Sequence, residues 1–205
     1  MNIGIIGAGN IGATLARLFS EAGHDVALSN SRGPESLGTV VSDLGPNVKA
    51  VTVAEAASFG DVVVEAIPYG RYGTLPVEQL AGKILVSAAN YYPGRDGRID
   101  FGGRAQSELI AAYLPQTKVV KAFNTIWYQH LDSQGNPALP LGERRVIFLA
   151  GDDLAAKEIV AALITEIGFG PLDTGSLAES KVQEPGAEIY NVDMTVSQAR
   201  ALLGK

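Results

Sequence analysis

The first 32 residues constrain the fold of this chain more than any other stretch. A short apolar run at residues 3–6 leads into a glycine-rich turn, and a second apolar run covers residues 25–29. Between the two runs, apolar side chains recur at helical spacing from Ile11 to Ala22, and Gly23 follows as a helix C-cap. This order of strand, turn, helix and strand predicts the opening unit of a doubly wound sheet.

The turn carries Gly7, Gly9 and Gly12 in the spacing G-x-G-x-x-G. In a dinucleotide-binding unit, the first glycine allows the tight turn and the second lets the backbone approach a pyrophosphate. The third lets the helix pack closely against the strand. The helix N-terminus, with its unpaired N–H groups, then faces the phosphates. The motif alone is weak in a glycine-rich chain, but its place between a strand and a helix predicts dinucleotide binding.

The end of the second strand indicates which dinucleotide binds. An NAD-binding unit usually has Asp or Glu there, which bonds to the ribose 2′-hydroxyl and repels a 2′-phosphate. This chain has Asn30, Ser31 and Arg32 instead. Neutral donors followed by a guanidinium suit a phosphate, so the sequence favours NADP over NAD. The alternative is an ordinary polar turn that leads to Gly33 and Pro34.

Strand and helix patterns alternate along the rest of the chain. This alternation predicts an α/β fold with a doubly wound, mostly parallel sheet of the Rossmann type. Residues 154–167 form the most convincing later helix, with Ile159, Leu163 and Ile167 spaced by fours. Ligands of such sheets bind beyond the carboxyl ends of the strands. The candidate site residues are therefore those that follow the predicted strands, namely residues 7–12, 30–32, 67–69, 88–90 and 124–126.

Length and charge limit what else the chain can be. We expect residues 1–182 to form one dinucleotide-binding domain that includes a small C-terminal α/β part. We expect residues 183–205 to form a C-terminal tail, which is either a homodimer contact or a mobile terminus. The net charge of −6 argues against nucleic acid as a partner, and no apolar run is long enough to span a bilayer. Without cysteine or a recognisable leader, we expect a cytoplasmic protein with a small-molecule partner.

Two later stretches carry candidate functional side chains. Residues 91–103 lack regular periodicity and contain Arg95 and Arg98, so this segment is either a substrate lid or a solvated surface loop. Trp127 and His130 follow the predicted sixth strand, beside the expected nicotinamide end. His130 is either a general acid or an ordinary helix-surface residue.

Residues for acid–base or metal-assisted catalysis are sparse. The chain lacks a Tyr-x-x-x-Lys pair, a G-x-S-x-G elbow, a P-loop and a His/Cys/Glu cluster with metal-ligand spacing. Hydride transfer between a nicotinamide and a flat redox ring depends mainly on stacking and positioning. The sequence therefore favours that reaction over the reaction of an alcohol dehydrogenase, and it predicts neither a catalytic side chain nor a metal site.

Several stretches together resemble the NADP-dependent oxidoreductases that act on the deazaflavin coenzyme F420. The matching segments are GIIGAGNIG, SNSRGPESL, AIPYG, KAFNTI, AGDD and LDTGSLAES, and they span the chain as far as Glu179. The resemblance implies a single domain in which NADP(H) lies along the strand ends and the deazaflavin packs on the nicotinamide. Hydride would then pass directly between the two rings.

The resemblance also implies cofactor-binding roles for residues that follow the strands. Gly7, Gly9, Asn10 and Ile11 would hold the pyrophosphate, and Ser31 and Arg32 would hold the 2′-phosphate with Asn30 nearby. The residues that would lie by the ribose, the nicotinamide and the ring stack are Ile67, Pro68, Ala88, Asn124, Thr125 and Ile126.

The chain departs from this pattern after Ile126. The F420-linked enzymes tend to have a small apolar segment there, whereas this chain has Trp127 and Tyr128, which would narrow or replace the deazaflavin pocket. Related reductases that use flavins or ferric chelates share the same dinucleotide unit. We therefore expect an NADPH-dependent oxidoreductase with F420 or a flavin such as FMN as the hydride partner. The alternatives are a ferric-chelate or quinone reductase and a non-catalytic NADP(H)-binding redox sensor.

Overall fold

The computed structural model describes residues 1–205 and contains one sheet of eight strands. The strands are β1 (Asn2–Ile6), β2 (Asp25–Ser29), β3 (Val48–Val51), β4 (Val62–Glu65), β5 (Ile84–Ser87), β6 (Lys118–Ala122), β7 (Val146–Gly151) and β8 (Gly170–Asp173). Their order across the sheet is β3-β2-β1-β4-β5-β6-β7-β8. Every neighbouring pair is parallel except β6 and β7. The predicted doubly wound, mostly parallel sheet is therefore confirmed.

Nine α-helices connect and cover the strands. They are α1 (Asn10–Glu21), α2 (Gly38–Asp43), α3 (Val53–Phe59), α4 (Val77–Leu80), α5 (Pro93–Asp96), α6 (Gln106–Tyr113), α7 (Tyr128–Ser133), α8 (Leu154–Glu166) and α9 (Val196–Leu203). Short 3-10 helices lie at Pro34–Leu37, Tyr69–Thr74, Leu141–Glu143 and Ala178–Gln183. None of these helices combines the length and the apolar character that crossing a membrane requires.

The helices bury both faces of the sheet, because alternate residues of each strand point to opposite sides. On one face, Leu15 and Phe19 of α1 pack with Ile3 and Ile5 of β1. On the other face, Ile6 of β1 packs in a second cluster with residues of α3 and α6. The two helix layers leave the carboxyl ends of the parallel strands uncovered. The direction of strand order reverses between the neighbouring strands β1 and β4, which creates a crevice at their carboxyl ends.

The predicted inward face of α8 is wrong at one position. Ile159 is 37% exposed, whereas Val160, Leu163 and Ile164 are buried. Each step of four residues overshoots a helical turn by about 40°, so a line of fours drifts around the helix. Alternating steps of three and four keep the buried residues on one side.

The C-terminal segment packs on the end of the sheet. Ile189, Val196 and Ala199 form a small buried cluster with side chains of β7 and β8. Helix α9 begins with a capping box in which the Thr195 side chain accepts a hydrogen bond from the Gln198 N–H. The division of the chain at residue 182 into a domain and a tail stays a prediction.

Candidate functional site

Two cavities lie side by side at the carboxyl end of the sheet. The Arg32 cavity, of about 630 Å³, follows β1, β2 and β4, and includes Ser31, Arg32 and Arg71 in its lining. The Trp127 cavity, of about 360 Å³, follows β4, β5 and β6, and includes Asn90 and Trp127. Both cavities are lined by Gly9, Ala66, Ile67 and Pro68, so they form one continuous groove across the point where the strand order reverses.

The glycine turn at the centre of the groove has the geometry that its sequence predicts. Gly7 has a φ of +114°, which favours glycine, and a Cβ on Gly12 would lie 1.8 Å from the Gly7 carbonyl oxygen. A Cβ on Gly9 would meet no atom within 4 Å, so it would project into open space. No side chain caps the N-terminus of α1. The N–H groups of its first turn are therefore available to an anion beside Gly9.

Asn30 organises the turn after β2. Its Oδ1 accepts a hydrogen bond from the Arg32 backbone N–H at 2.8 Å, and its Nδ2 donates to the Ser36 hydroxyl at 2.9 Å. The Asn30 side chain is thus used within the protein, in the manner of an Asx-turn. It leaves Ser31 and Arg32 to line the cavity.

Two arginines line the Arg32 cavity without a partner in the protein. Arg32 and Arg71 make no side-chain hydrogen bond, and no ion pair includes either of them. Most other arginine side chains are engaged: Arg17, Arg95 and Arg145, for example, pair with aspartates. Two free guanidinium groups on one cavity of an acidic protein favour an anionic ligand. The sequence interpretation missed Arg71, although it lies only three residues after Pro68.

The Trp127 cavity has an apolar lining and a polar rim. Ile67, Pro68, Ala88 and Ile126 contribute apolar side chains. The rim consists of Asn90, Tyr92, Arg95, Asn124, Tyr128, Tyr190 and Asn191, together with the half-exposed Trp127. This combination accommodates a flat ring with polar edges, because apolar and aromatic surfaces contact the ring while the rim bonds to its substituents.

Phe123 shows backbone strain at the end of β6. Its φ of +62° lies in the left-handed region, which is uncommon for a residue other than glycine. The strained residue lines the Trp127 cavity, and its ring packs edge-on against Phe19. The chain thereby turns Asn124 towards the neighbouring strand end. Strain of this kind concentrates at functional sites.

A pair of asparagines joins the ends of β5 and β6. Asn90 Nδ2 donates to the Asn124 carbonyl oxygen at 2.7 Å, and Asn124 Nδ2 donates to Asn90 Oδ1 at 3.1 Å. Asn124 Nδ2 also donates to the Gln183 carbonyl oxygen at 2.7 Å. The bonds hold two predicted site segments to each other and to the C-terminal part of the chain.

The segment after β5 is ordered by Asp96. Its carboxylate accepts bonds from the Arg95 guanidinium and from the backbone N–H groups of Tyr92 and Gly70. The bond with Arg95 contributes most to lowering the pKa of Asp96 to about 2, against the opposing effect of burial. Arg95 also donates to the Asn90 carbonyl oxygen. Residues 93–96 therefore form a short surface helix, α5, that presents Arg95 to the cavity.

Tyr190 and Asn191 bring the C-terminal segment into the site. The Tyr190 hydroxyl contacts the Tyr92 hydroxyl, and the Asn191 N–H donates to the Thr125 carbonyl oxygen at 3.2 Å. Burial, with the Tyr92 contact, raises the pKa of Tyr190, so this hydroxyl keeps its proton. The weak sequence pattern after Gln183 concealed both residues, since their place depends on contacts with distant strands.

The predicted cofactor-binding residues fall into the groove with one exception. The Arg32 cavity includes Gly7, Gly9, Asn30, Ser31, Arg32, Ile67 and Pro68, and the Trp127 cavity adds Asn10, Ile11, Ala88, Asn124 and Ile126. Thr125 lines neither cavity and contributes its carbonyl oxygen to the Asn191 contact. His130 also lies outside both cavities, and its Nδ1 pairs with Asp193 at 2.9 Å.

The chain is similar to several known proteins over part or most of its length. Residues 2–91 match the family model described as NADP oxidoreductase, coenzyme F420-dependent. The chain is also 34% identical over 185 residues to metalloreductase STEAP3 from Rattus norvegicus. The match covers 89% of this chain and 35% of STEAP3, so the chain spans about one third of the length of that relative.

Solved structures resemble the whole chain. The hypothetical protein SMa0349 from Sinorhizobium meliloti is 38% identical with a TM-score of 0.82, and the match covers 95% of both chains. A candidate F420-dependent NADP reductase from Arthrobacter sp. FB24 is 27% identical with a TM-score of 0.73. That match covers 87% of this chain and 86% of the other. The fold and the length of the described chain are thus shared with these proteins.

Proposed function

We propose that the chain is a member of the NADP oxidoreductase family whose model, described as coenzyme F420-dependent, matches residues 2–91, and that it transfers a hydride between NADP(H) and a flat redox ring such as F420 or a flavin. The observation that carries this proposal is the continuous groove. One end has two free guanidinium groups, the centre has the glycine turn, and the other end has an aromatic and amide rim.

The residues of the Arg32 cavity fit the adenosine half of NADP. Ser31 and Arg32 would bind the 2′-phosphate, with Arg71 as a second cation in the same cavity. The open space at Gly9 and the uncapped N-terminus of α1 would accept the pyrophosphate, with Gly7, Asn10 and Ile11 around it. No acidic residue lies at positions 30–32, directly after β2, so no carboxylate there opposes a phosphate on the ribose.

The apolar lining of the Trp127 cavity would orient the nicotinamide end of NADP(H). Bound NADPH supplies the hydride, and the protein supplies position and a dry environment. Ile67, Pro68 and Ala88 would form a shelf beside the ribose and nicotinamide. Asn124 and Ile126 would lie near the second ring, and Thr125 would act through its contact with Asn191. These side chains exclude water and hold geometry, which is the main requirement of a direct hydride transfer.

Trp127 and Tyr128 favour a flat acceptor. Trp127 is 49% exposed, so its indole is available to stack against a ring that enters from solvent. F420 and FMN both have such rings. A ferric chelate is the second candidate acceptor, since the chain is similar to a metalloreductase over most of its length. A non-catalytic NADP(H) sensor would bind the same cofactor without turnover.

The deciding experiment measures NADPH oxidation by purified protein with F420, FMN, a quinone and a ferric chelate in turn. We expect turnover with F420 or FMN. Tight binding of NADPH without turnover on any acceptor would favour the sensor. Absence of NADPH binding would contradict both functions.

Trp127 provides an independent report on the acceptor. It is the only tryptophan in the chain, so tryptophan emission, excited at a wavelength that tyrosine does not absorb, reports on the Trp127 cavity alone. With the protein saturated by NADP⁺, addition of FMN or F420 should change that emission. Unchanged emission with an acceptor that is nevertheless reduced would place the acceptor elsewhere.

A further inference from the structure

A row of three buried polar side chains crosses the sheet next to the Trp127 cavity. Glu65 on β4 is the register partner of Ser87 on β5, and Ser87 is the register partner of Lys121 on β6. Register partners of parallel strands project from the same face, so the three side chains lie side by side. All three residues have no exposed surface.

Only one of the three side chains makes a hydrogen bond. The Lys121 ammonium donates to the Ala89 carbonyl oxygen at 2.6 Å. The Glu65 carboxylate oxygens and the Ser87 hydroxyl make no hydrogen bond. Burial raises the pKa of Glu65, against the opposing effects of the neighbouring Ser87 hydroxyl and of the Lys121 charge. Burial lowers the pKa of Lys121, against the opposing effects of the Glu65 and Glu184 charges.

No ion pair joins Glu65 and Lys121, so burying these two ionisable groups does not serve stability alone. Burying a carboxylate and an ammonium costs more than their attraction commonly returns, and apolar residues of similar volume often serve as well or better. The other ionisable groups near the row, Tyr69 and Glu184, are engaged elsewhere: Tyr69 donates to the Gln106 carbonyl oxygen, and Glu184 accepts from the Gln106 N–H. A role at the adjacent cavity accounts better for the buried charges.

The row connects directly to the residues that line the cavity. Glu65 precedes Ala66, and Ser87 precedes Ala88, both of which line the groove. Lys121 reaches across to Ala89, the neighbour of Asn90. Because Asn90 is in turn bonded to Asn124, the contact at Ala89 restrains the strand ends on both sides of the cavity.

We propose that Lys121 is a positioning residue for the nicotinamide end of the groove, and that it acts by holding the Ala89 carbonyl group. This inference rests on the proposed function, because it assumes that a nicotinamide occupies the Trp127 cavity. Lys121 touches no ligand in this arrangement. It determines where the backbone of residues 88–90 lies, and thereby the position of the ring that packs on it.

The test separates positioning from stability. Lys121→Met alone leaves the Glu65 carboxyl buried without the nearby positive charge of Lys121, so this variant should have a lower melting temperature. The double variant Glu65→Leu/Lys121→Met removes both charges and should recover much of that loss. NADPH affinity, measured by calorimetry, should stay close to that of the wild type because the Arg32 cavity is intact. The rise in NADPH emission on binding should be lost in both variants, because it reports immobilisation of the nicotinamide.

Two controls complete the design. Glu65→Gln keeps the bond from Lys121 to Ala89 and should retain the rise in emission. Leu163→Ala removes a buried side chain of α8 and should lower the melting temperature without changing that emission. A normal rise in the double variant, or its loss in Glu65→Gln, would overturn the inference while the proposed function stands. Failure of the wild-type protein to bind NADPH would overturn both.

Discussion

The hydroxyl groups of Tyr92 and Tyr190 meet at the rim of the Trp127 cavity, although the two residues are 98 positions apart in the chain. The Tyr190 hydroxyl oxygen also lies 3.4 Å from Asn90 Nδ2, which donates a hydrogen bond to the carbonyl oxygen of Asn124, just after β6. One side chain thus ties the C-terminal segment to both walls of the cavity. The contact makes residues 190–191 part of the candidate acceptor site.

Removing the Tyr190 hydroxyl should weaken the acceptor side alone. We expect Tyr190→Phe to raise the KM for the acceptor by the equivalent of about 0.5–1.5 kcal/mol, the usual contribution of one hydrogen bond. NADPH affinity should be unchanged, since the Arg32 cavity is not affected. Steady-state kinetics and calorimetry measure the two effects. Tyr113→Phe is the matched control, because its hydroxyl bonds to the Gly73 carbonyl oxygen outside both cavities. Equal effects of the two variants would contradict the assignment.

Two arginines should distinguish NADPH from NADH. We expect Arg32→Ala and Arg71→Ala each to weaken NADPH binding by about 1.5–3 kcal/mol, the scale of a charge-assisted hydrogen bond. NADH binding should change little, because NADH lacks the 2′-phosphate. Arg98→Ala is the control, since this side chain lines neither cavity. If NADPH and NADH lose affinity equally, the guanidinium groups do not bind the 2′-phosphate.

Alanine substitution of Gly12 and of Gly9 should change different properties of the protein. In Gly12→Ala, the new Cβ would lie 1.8 Å from the Gly7 carbonyl oxygen, so we expect the free energy of unfolding to fall by about 1–3 kcal/mol or more. In Gly9→Ala, the Cβ meets no protein atom within 4 Å, so stability should be retained while NADPH binding is lost. Urea unfolding and calorimetry separate the outcomes. Normal NADPH binding by Gly9→Ala would contradict the assignment of the pyrophosphate to this turn.

Asp96 should make the cavity wall sensitive to acid. Folding lowers the pKa of this carboxyl from 3.8 to about 2, so its contribution to stability is present above the higher value and is lost as the pH falls through the lower one. We expect Asp96→Asn to reduce the free energy of unfolding by about 1.5–3 kcal/mol at neutral pH, because several bonds to a charged group weaken.

The free energy of unfolding of Asp96→Asn should also depend less on pH than that of the wild type. Urea unfolding of the wild type and of Asp96→Asn, each between about pH 5 and about pH 2, measures this difference. Asp100→Asn is the control, since the Asp100 carboxylate accepts a single bond from the Gly102 N–H. Identical pH dependence of the wild type and Asp96→Asn would show that another carboxyl dominates acid unfolding.

The Arg32 cavity was largely predictable because its determinants are local. Gly7, Gly9 and Arg32 lie within one strand–helix–strand unit, whose spacing dictates the turn and the register of the second strand. Arg71 was missed because it lies on a 3-10 turn after β4, beyond the residues that directly follow a strand. Its approach to the cavity depends on how that turn folds back over the sheet.

The buried row had a sequence signal that the strand patterns obscured. Glu65 and Lys121 are opposite charges inside the runs DVVVEAI and KVVKAF, in which the first residue is also charged and the others are apolar. Their pairing required knowledge that β4 and β6 flank the same strand and that residue 65 is in register with residue 121 through Ser87. Strand order and register are tertiary facts, since a shift of one residue would turn each side chain to the opposite face.

By itself, the sequence determined the α/β class, the mostly parallel sheet and the polar turn without an acidic residue directly after β2. These follow from hydrophobic period and from glycine and polar residues at short spacing, which act within a few turns of chain. Only the tertiary structure decided which residues form the Trp127 cavity, because Asn90, Tyr92, Asn124 and Tyr190 come from three distant segments. Their meeting depends on strand order and on long-range hydrogen bonds, which no local pattern encodes.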